Sequence, residues 1–191
     1  MTKAEKLRAL NEQWAADTTC GLKATATQAV FGDGSPNAAI VFVGEAPGKN
    51  EDIQGVPFVG AAGKFLAEML GDIKMKREDV YITNIVKYRP PNNRDPEPEE
   101  KKACAPWLHD ELNLIAPKLI VFLGRHSMNN FFPELKISEA HGKLICKKFK
   151  GIKTEWFLPL YHPASALYNG GMREVLKADF ALIPKILDTI E

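Results

Sequence analysis

The sequence is short of cysteine, of long apolar runs and of net charge, and each shortage excludes something. Its three cysteines, Cys20, Cys104 and Cys146, are far apart and odd in number. A disulfide framework of the kind that staples small secreted domains needs more of them, in pairs. No apolar run approaches the roughly 20 residues that span a bilayer. The opening stretch MTKAEKLRALNEQWAA is charged, with helical spacing, and lacks the apolar core of a signal peptide. The expectation is a cytoplasmic protein with no membrane partner. Lys and Arg number 25 against 24 Asp and Glu, a net charge of +1. Such a balance gives no strong overall field, so total charge does not imply nucleic acid; a local basic face would suffice for it. Internal repeats and low-complexity tracts are also lacking.

What remains is an ordinary globular composition. The 191 residues, 45% apolar and 26% charged, suit a single domain spanning 1–191 with a real core. The spacing of Leu7, Leu10 and Trp14 predicts a helix over 3–15. AAIVFVG, DVYITNIV and KLIVFLG read as buried strands. GKFLAEMLGDI reads as a helix between the first two strands. RPPNNRDPEPEE is a polar, proline-rich loop whose Pro98 and acidic neighbours open the next helix. That helix buries Ala103, Trp107, Leu108, Leu112 and Ile115. A short helix is expected from about Ser127. KLICKKF and TEWFLPLYHP suggest two more strands or a hairpin. Leu176, Phe180, Ile183, Leu187 and Ile190 form one stripe and predict one last helix.

Strands alternating with helices imply an α/β domain with a largely parallel sheet. Ligands of such sheets bind where loops leave the carboxyl ends of strands. That rule selects Gly44–Gly63, Thr83–Arg94, Gly124–Ser127 and Tyr161–Ser165. The first holds Glu45, Glu51, Asp52 and Phe58 between glycine and proline bends. The second holds Asn84, and the fourth holds His162. Together these suit a planar heterocycle: a ring stacks on Phe58, a carboxamide reads a polar edge, and an imidazole donates to an oxygen gaining charge. Singly, Phe58 is also a core residue, Asn84 a cap, and Glu51 and Asp52 the start of a helix.

Three stretches carry a resemblance. GEAPGKNEDIQGVPFVGAAG, ITNIVKYRPPNNRDPEPEE and LPLYHPAS together resemble the family 4 uracil-DNA glycosylases, over nearly the whole chain. The resemblance implies a three-layer α/β/α sandwich around a short, mainly parallel four-stranded sheet. It implies hydrolysis of the N-glycosidic bond of uracil in DNA by base flipping, with a monomer acting on single- or double-stranded DNA. Gly44, Ala46, Phe58 and Asn84 would then hold the base. His162 would stabilise the departing uracil anion, and Glu45 would serve the cationic sugar or the attacking water, with Glu51 and Asp52 in reserve for the water. Arg89, Asn92, Asn93, Arg94, Ser165 and Arg173 would grip the DNA. Leu167 or Tyr168, in a loop made mobile by Gly170 and Gly171, would fill the vacated stack. Other readings remain open at this stage: removal of another deaminated base such as hypoxanthine or xanthine, a module that binds damaged DNA without cleaving it, or a small-nucleotide binder.

The chain departs from that family in one respect. Family 4 implies an iron–sulfur cluster on four cysteines. Here the matching positions read Asp17, Cys20, Tyr88 and Cys104, so no cluster, metal or other cofactor is expected. Packing by Tyr88 and Trp107, or a polar contact from Asp17, would take over its tethering role. The polar loop also lacks a histidine of the kind some relatives use to trap DNA covalently.

Overall fold

A computed structural model describes residues 1–17 and 19–190, with the side chain of Asp17 outside the description. The expected Asp17 contact therefore lies outside the described residues. In chain order the elements are α1 (Lys3–Asp17), β1 (Asp33–Gly34), β2 (Ile40–Gly44), α2 (Lys49–Gln54), α3 (Ala61–Asp72), β3 (Tyr81–Asn84), α4 (Pro98–Ile115), β4 (Leu119–Leu123), α5 (Arg125–Asn129), α6 (Ile137–Ala140), β5 (Ile145–Cys146), β6 (Trp156–Leu160), α7 (Ser165–Tyr168), α8 (Gly171–Phe180) and α9 (Ile183–Thr189).

The strands form one mixed sheet in the order β1-β3-β2-β4-β6-β5. The four inner strands are parallel, with Val43 facing Thr83 on one side and Phe122 on the other. These are the four strands the sequence implies. The sheet is larger than expected because two short antiparallel strands, β1 and β5, pair at its edges. β5 lies within KLICKKF and pairs with β6 as the suggested hairpin, whereas β1, with only two residues, is too short for a periodic signal.

Alternation along the strands builds two cores. Val41, Val43, Tyr81, Ile120 and Phe122 face α1 and α4, where Leu7, Trp107, Leu108 and Leu112 close the layer. Ile40, Phe42, Ile82, Val121 and Leu158 face the other way, onto Phe65, Leu66 and Met69 of α3 and Leu176 and Phe180 of α8. Both sheet faces are thus covered, which is why β2 and β4 read as continuous apolar runs. α4 starts where expected. Glu97 and Glu100 form a capping box, with the Glu97 amide donating to Glu100 at 2.7 Å and Pro98 in the first turn.

One polar island interrupts the first core. Lys87 and Glu111 are fully buried and paired at 2.5 Å, and Tyr81 and Thr83 donate to the same carboxylate at 2.7 and 2.9 Å. Each charge thus keeps the partner that burial demands.

Two helical expectations change. The single last helix is two, α8 and α9, separated at Ala181–Leu182, with Pro184 in the first turn of the second. Proline lacks the amide that would continue the ladder, so the helix restarts there. The apolar stripe survives the break, since Leu176, Phe180, Ile183 and Ile190 pack in one cluster. The short helix after β4 begins at Arg125, two residues before the expected Ser127.

Candidate active site

The loops leaving the carboxyl ends of β2, β3, β4 and β6 meet at the point where the chain crosses from one side of β2 to the other. A cavity of about 520 Å³ opens there, lined by Glu45, Ala46, Glu51, Phe58, Asn84 and His162, among others. Three strand ends far apart in sequence, those of β2, β3 and β6, thus line one pocket, as parallel α/β sheets arrange it.

Phe58 is held in place from several sides. Its backbone is left-handed, with φ of 53°. Such a conformation is strained for a bulky residue and persists only when the surroundings fix it. Arg77 donates to the carbonyls of Pro57 and Phe58, the latter at 2.9 Å. Oε1 of Glu51 accepts from the Val59 and Gly60 amides at 3.0 and 2.9 Å. Gly63 lies so close that a Cβ there would sit 1.8 Å from the Phe58 carbonyl oxygen. The second glycine turn of the sequence is therefore a packing requirement of the Phe58 bend. The Phe58 ring stacks near His162, with centroids 5.7 Å apart and planes 27° apart.

Asn84 ends β3 and is buried. Its Oδ1 has no hydrogen-bond partner among the described residues. A buried amide oxygen in that state is costly unless a ligand supplies the donor. Gly44 makes the approach possible. A Cβ on it would lie 2.4 Å from Asn84 Oδ1 and 2.7 Å from the Phe58 ring.

His162 follows β6. Its Nδ1 accepts from the Ala164 amide at 3.0 Å, and Ser165 Oγ donates to its carbonyl at 2.7 Å. Burial, then the neighbouring His126, lowers the imidazole to about 4. The ring is neutral at pH 7, and with Nδ1 accepting, the proton sits on Nε2.

Glu45 sits at the mouth, half-buried. Burial first, then the adjacent Asp95, pushes its carboxyl up to about 7. His126 Nε2 lies 3.9 Å from Glu45 and 3.2 Å from Asp95. Arg125 Nε donates to the same nitrogen at 3.1 Å, and burial lowers His126 below the usual histidine range. Glu45, Asp95 and His126 bring their ligand atoms within 4.8 Å of one another, the grouping among the described residues that could hold a metal ion.

Sequence reasoning missed Asp95 and His126. Both lay within stretches already selected: Asp95 in the polar loop quoted above, and His126 in the Gly124–Ser127 strand end. Neither residue type carries a diagnostic spacing on its own.

The remaining expected residues fall out differently. Asp52 is buried away from the pocket, where its carboxylate accepts from the Thr27 amide and hydroxyl at 2.9 and 2.7 Å. It anchors the segment after α1 and is not available to water in the pocket. Arg94 lines the cavity but spends its guanidinium on Glu100, at 2.9 and 2.6 Å. Arg89 donates to Asn93 at 2.7 Å within the loop, where Asn92 and Asn93 both take positive φ. Arg173 pairs with Glu68 at 2.5 Å and covers the Phe65 ring at 4.4 Å. Leu167 and Tyr168 are exposed, Tyr168 to 90%, beside the cavity that Tyr168 also lines. They lie on α7, one helical turn, in place of the expected loop; Gly171 begins α8 with its amide held by Asn169 Oδ1 at 3.0 Å.

Tyr88 is 2% exposed, its ring edge-on to Trp107 at 6.4 Å and its hydroxyl 3.4 Å from the Ala15 carbonyl. Burial pushes its phenol up to about 12, so it is neutral at pH 7. A neutral phenol packed into the core is not a thiolate ligand, and three cysteines cannot supply four. The residues present do not fit an iron–sulfur cluster.

The fold defines a three-layer α/β protein with a pocket at the carboxyl edge of its sheet. The family model described as the uracil DNA glycosylase superfamily matches residues 31–183, and the chain belongs to that superfamily. A Type-4 uracil-DNA glycosylase of Sulfurisphaera tokodaii is 46% identical over 191 residues, covering 97% of this chain and 86% of that protein. One of Archaeoglobus fulgidus is 48% identical over 172 residues, covering 87% and 86%. One of Thermotoga maritima is 40% identical over 173 residues, covering 88% and 86%.

Proposed function

We propose that this protein is a uracil-DNA glycosylase of base-excision repair, a monomer that flips uracil out of single- or double-stranded DNA and hydrolyses its N-glycosidic bond. The observation that carries the reading is the unpartnered, buried Oδ1 of Asn84 beside the Phe58 ring and His162. Uracil presents N3–H and O4 side by side. Asn84 Oδ1 accepts from N3–H, and its amide nitrogen donates to O4. Cytosine presents an unprotonated N3 and an amino group there, so two lone pairs and two donors would face each other. A rotated amide would partly accommodate cytosine, so selectivity requires the Asn84 amide to keep one rotamer.

Flipping costs a few kcal/mol of unstacking, partly offset by stacking on Phe58. The exposed Leu167 and Tyr168 fill the gap left in the duplex. As the bond breaks, its electron pair passes to the base, and negative charge gathers on O2. His162 Nε2–H donates to that oxygen. A neutral donor already aligned by Ala164 needs no reorganisation, and donors of this kind are worth about 3 kcal/mol. The sugar becomes oxocarbenium-like. Glu45, ionised, stabilises it or takes a proton from the water that adds to C1′. Uracil leaves as the anion and an abasic site remains.

DNA grip is assigned to the loop around Arg89, Asn92 and Asn93, to backbone amides, and to Arg94 and Arg173 where phosphate displaces their carboxylate partners. The protein works without a cluster or other cofactor. Oligonucleotides with U·G, U·A, single-stranded uracil, hypoxanthine or xanthine test the reading by alkali-labile strand scission. Cleavage at uracil alone supports it. Cleavage confined to hypoxanthine or xanthine, or binding with no cleavage, overturns it.

A further inference from the structure

Cys20 and Cys104 are buried, 3% and 0% exposed, in the core between the sheet and the α1–α4 layer. Cys20 Sγ lies 4.0 Å from the Glu100 carbonyl. That carbonyl is one helical turn before Cys104 on α4 and points along the helix toward it. The two thiols meet there in a hydrogen-bonded contact. The Lys87 backbone also hydrogen-bonds with the Cys104 thiol, and Tyr88 shares one core cluster with both cysteines. Three chain segments therefore converge on this pair: the stretch after α1, the stretch after β3, and α4. Cys146 stands apart, exposed on the edge strand β5.

We propose that Cys20 and Cys104 are a redox-convertible clasp, in which a disulfide between them ties the segment after α1 to α4. The oxidant is a low-molecular-weight disulfide. The Cys20 thiolate attacks one sulfur of that disulfide and expels one small thiolate. Cys104, giving up its proton, then attacks Cys20 Sγ in the mixed disulfide and expels the second. The sum converts two protein thiols and one small disulfide into one protein disulfide and two small thiols. The order follows from the contact. The hydrogen bond from Cys104 lowers Cys20 to about 7, despite its burial, while the same bond raises Cys104. The more ionised thiol attacks, as exchange chemistry requires.

Burial gates the reaction, because the oxidant reaches Cys20 only when the segment after α1 lifts. The product closes a long loop of the unfolded chain, which is where cross-links stabilise most in the chain-entropy account. The thermal midpoint is expected to rise by about 5–10 °C for a chain of this size. None of the pocket residues takes part, so uracil excision at room temperature is unchanged.

The test uses the full chain, held with oxidised glutathione or with dithiothreitol, then alkylated in denaturant and mapped by peptide mass spectrometry. The expected result is a Cys20–Cys104 linked peptide, with Cys146 carrying glutathione. The midpoint rise persists in Cys146→Ser and disappears in both Cys20→Ser and Cys104→Ser. Two outcomes overturn the clasp. One is alkylation of both Cys20 and Cys104 after Cys146 has been fully glutathionylated, at room temperature and again just below the thermal midpoint. The other is a linked peptide with no rise in the midpoint.

Discussion

The Ala164 amide donates to Nδ1 of His162 at 3.0 Å, and this bond places the imidazole proton on Nε2, facing the pocket. Uracil excision in His162→Ala should fall by about 100- to 1,000-fold in kcat, with a much smaller change in KM, because the donor acts on charge that develops in the transition state. Since burial and His126 hold the ring at about 4, its neutral form persists well into acid. Single-turnover rates from pH 5 to 9 should therefore show no limb belonging to His162. A limb near pH 6.5 that vanishes in the variant would mean that the protonated ring does the work.

Glu45 and Asp95 make the pH dependence. Burial and then the Asp95 charge hold the Glu45 carboxyl at about 7, above its usual range, so the ionised form accumulates only as pH rises through that value. The rate should climb about tenfold per pH unit below 7 and level off above it. Asp95→Asn should move this limb toward lower pH while burial keeps part of the shift. An unmoved limb in that variant would remove Asp95 from the account.

Asn84 decides which base is taken. Asn84→Ala should lower kcat/KM on uracil by at least about 100-fold, since the buried edge of the base loses both of its partners. Asn84→Asp should be at least as damaging, because a carboxylate faces O4. Retention of near-normal uracil excision in Asn84→Ala would point to the backbone around Ala46 as the reader.

Two glycines of the same helix should behave oppositely. In Gly63→Ala the new Cβ would meet the Phe58 carbonyl at 1.8 Å, and the backbone cannot yield cheaply. The Phe58 bend should shift, with loss of uracil excision and a lowered thermal midpoint. Gly71 has open space around it, so Gly71→Ala should stabilise by about 0.5–1 kcal/mol and leave excision intact. Equal effects at both positions would show that helix propensity, not close packing on Phe58, sets the requirement at Gly63.

Much of this arrangement was legible because its signals are local. AAIVFVG and KLIVFLG could only be strands covered on both faces, and the structure buries every residue of β2 and β4. Pro98 with Glu100 announced the start of α4, and the capping box is there. The stripe from Leu176 to Ile190 marked an apolar face correctly but not the break in it, since Pro184 fits the first turn of a new helix as well as it fits the stripe. Arg94 reads as a phosphate ligand in the polar loop, and nothing along the sequence shows the Glu100 partner that a phosphate has to displace. Glu100 captures it only once α4 folds back beside the loop. Asp52 read as a pocket carboxylate for the same reason, before Thr27 came to meet it.

The sequence by itself determined the layer order, the four inner strands, the family, and Glu45, Phe58, Asn84 and His162 as residues at strand ends. Periodicity, turn chemistry and motif order are properties of the chain read along its length. Only the tertiary structure decided which of those side chains share a cavity, that Asp95 and His126 stand beside Glu45, that Asn84 is left with an unused acceptor, and that Cys20 meets Cys104. Those relations join residues tens of positions apart. Their energies depend on burial and on partners that exist only after the sheet has brought its strand ends together.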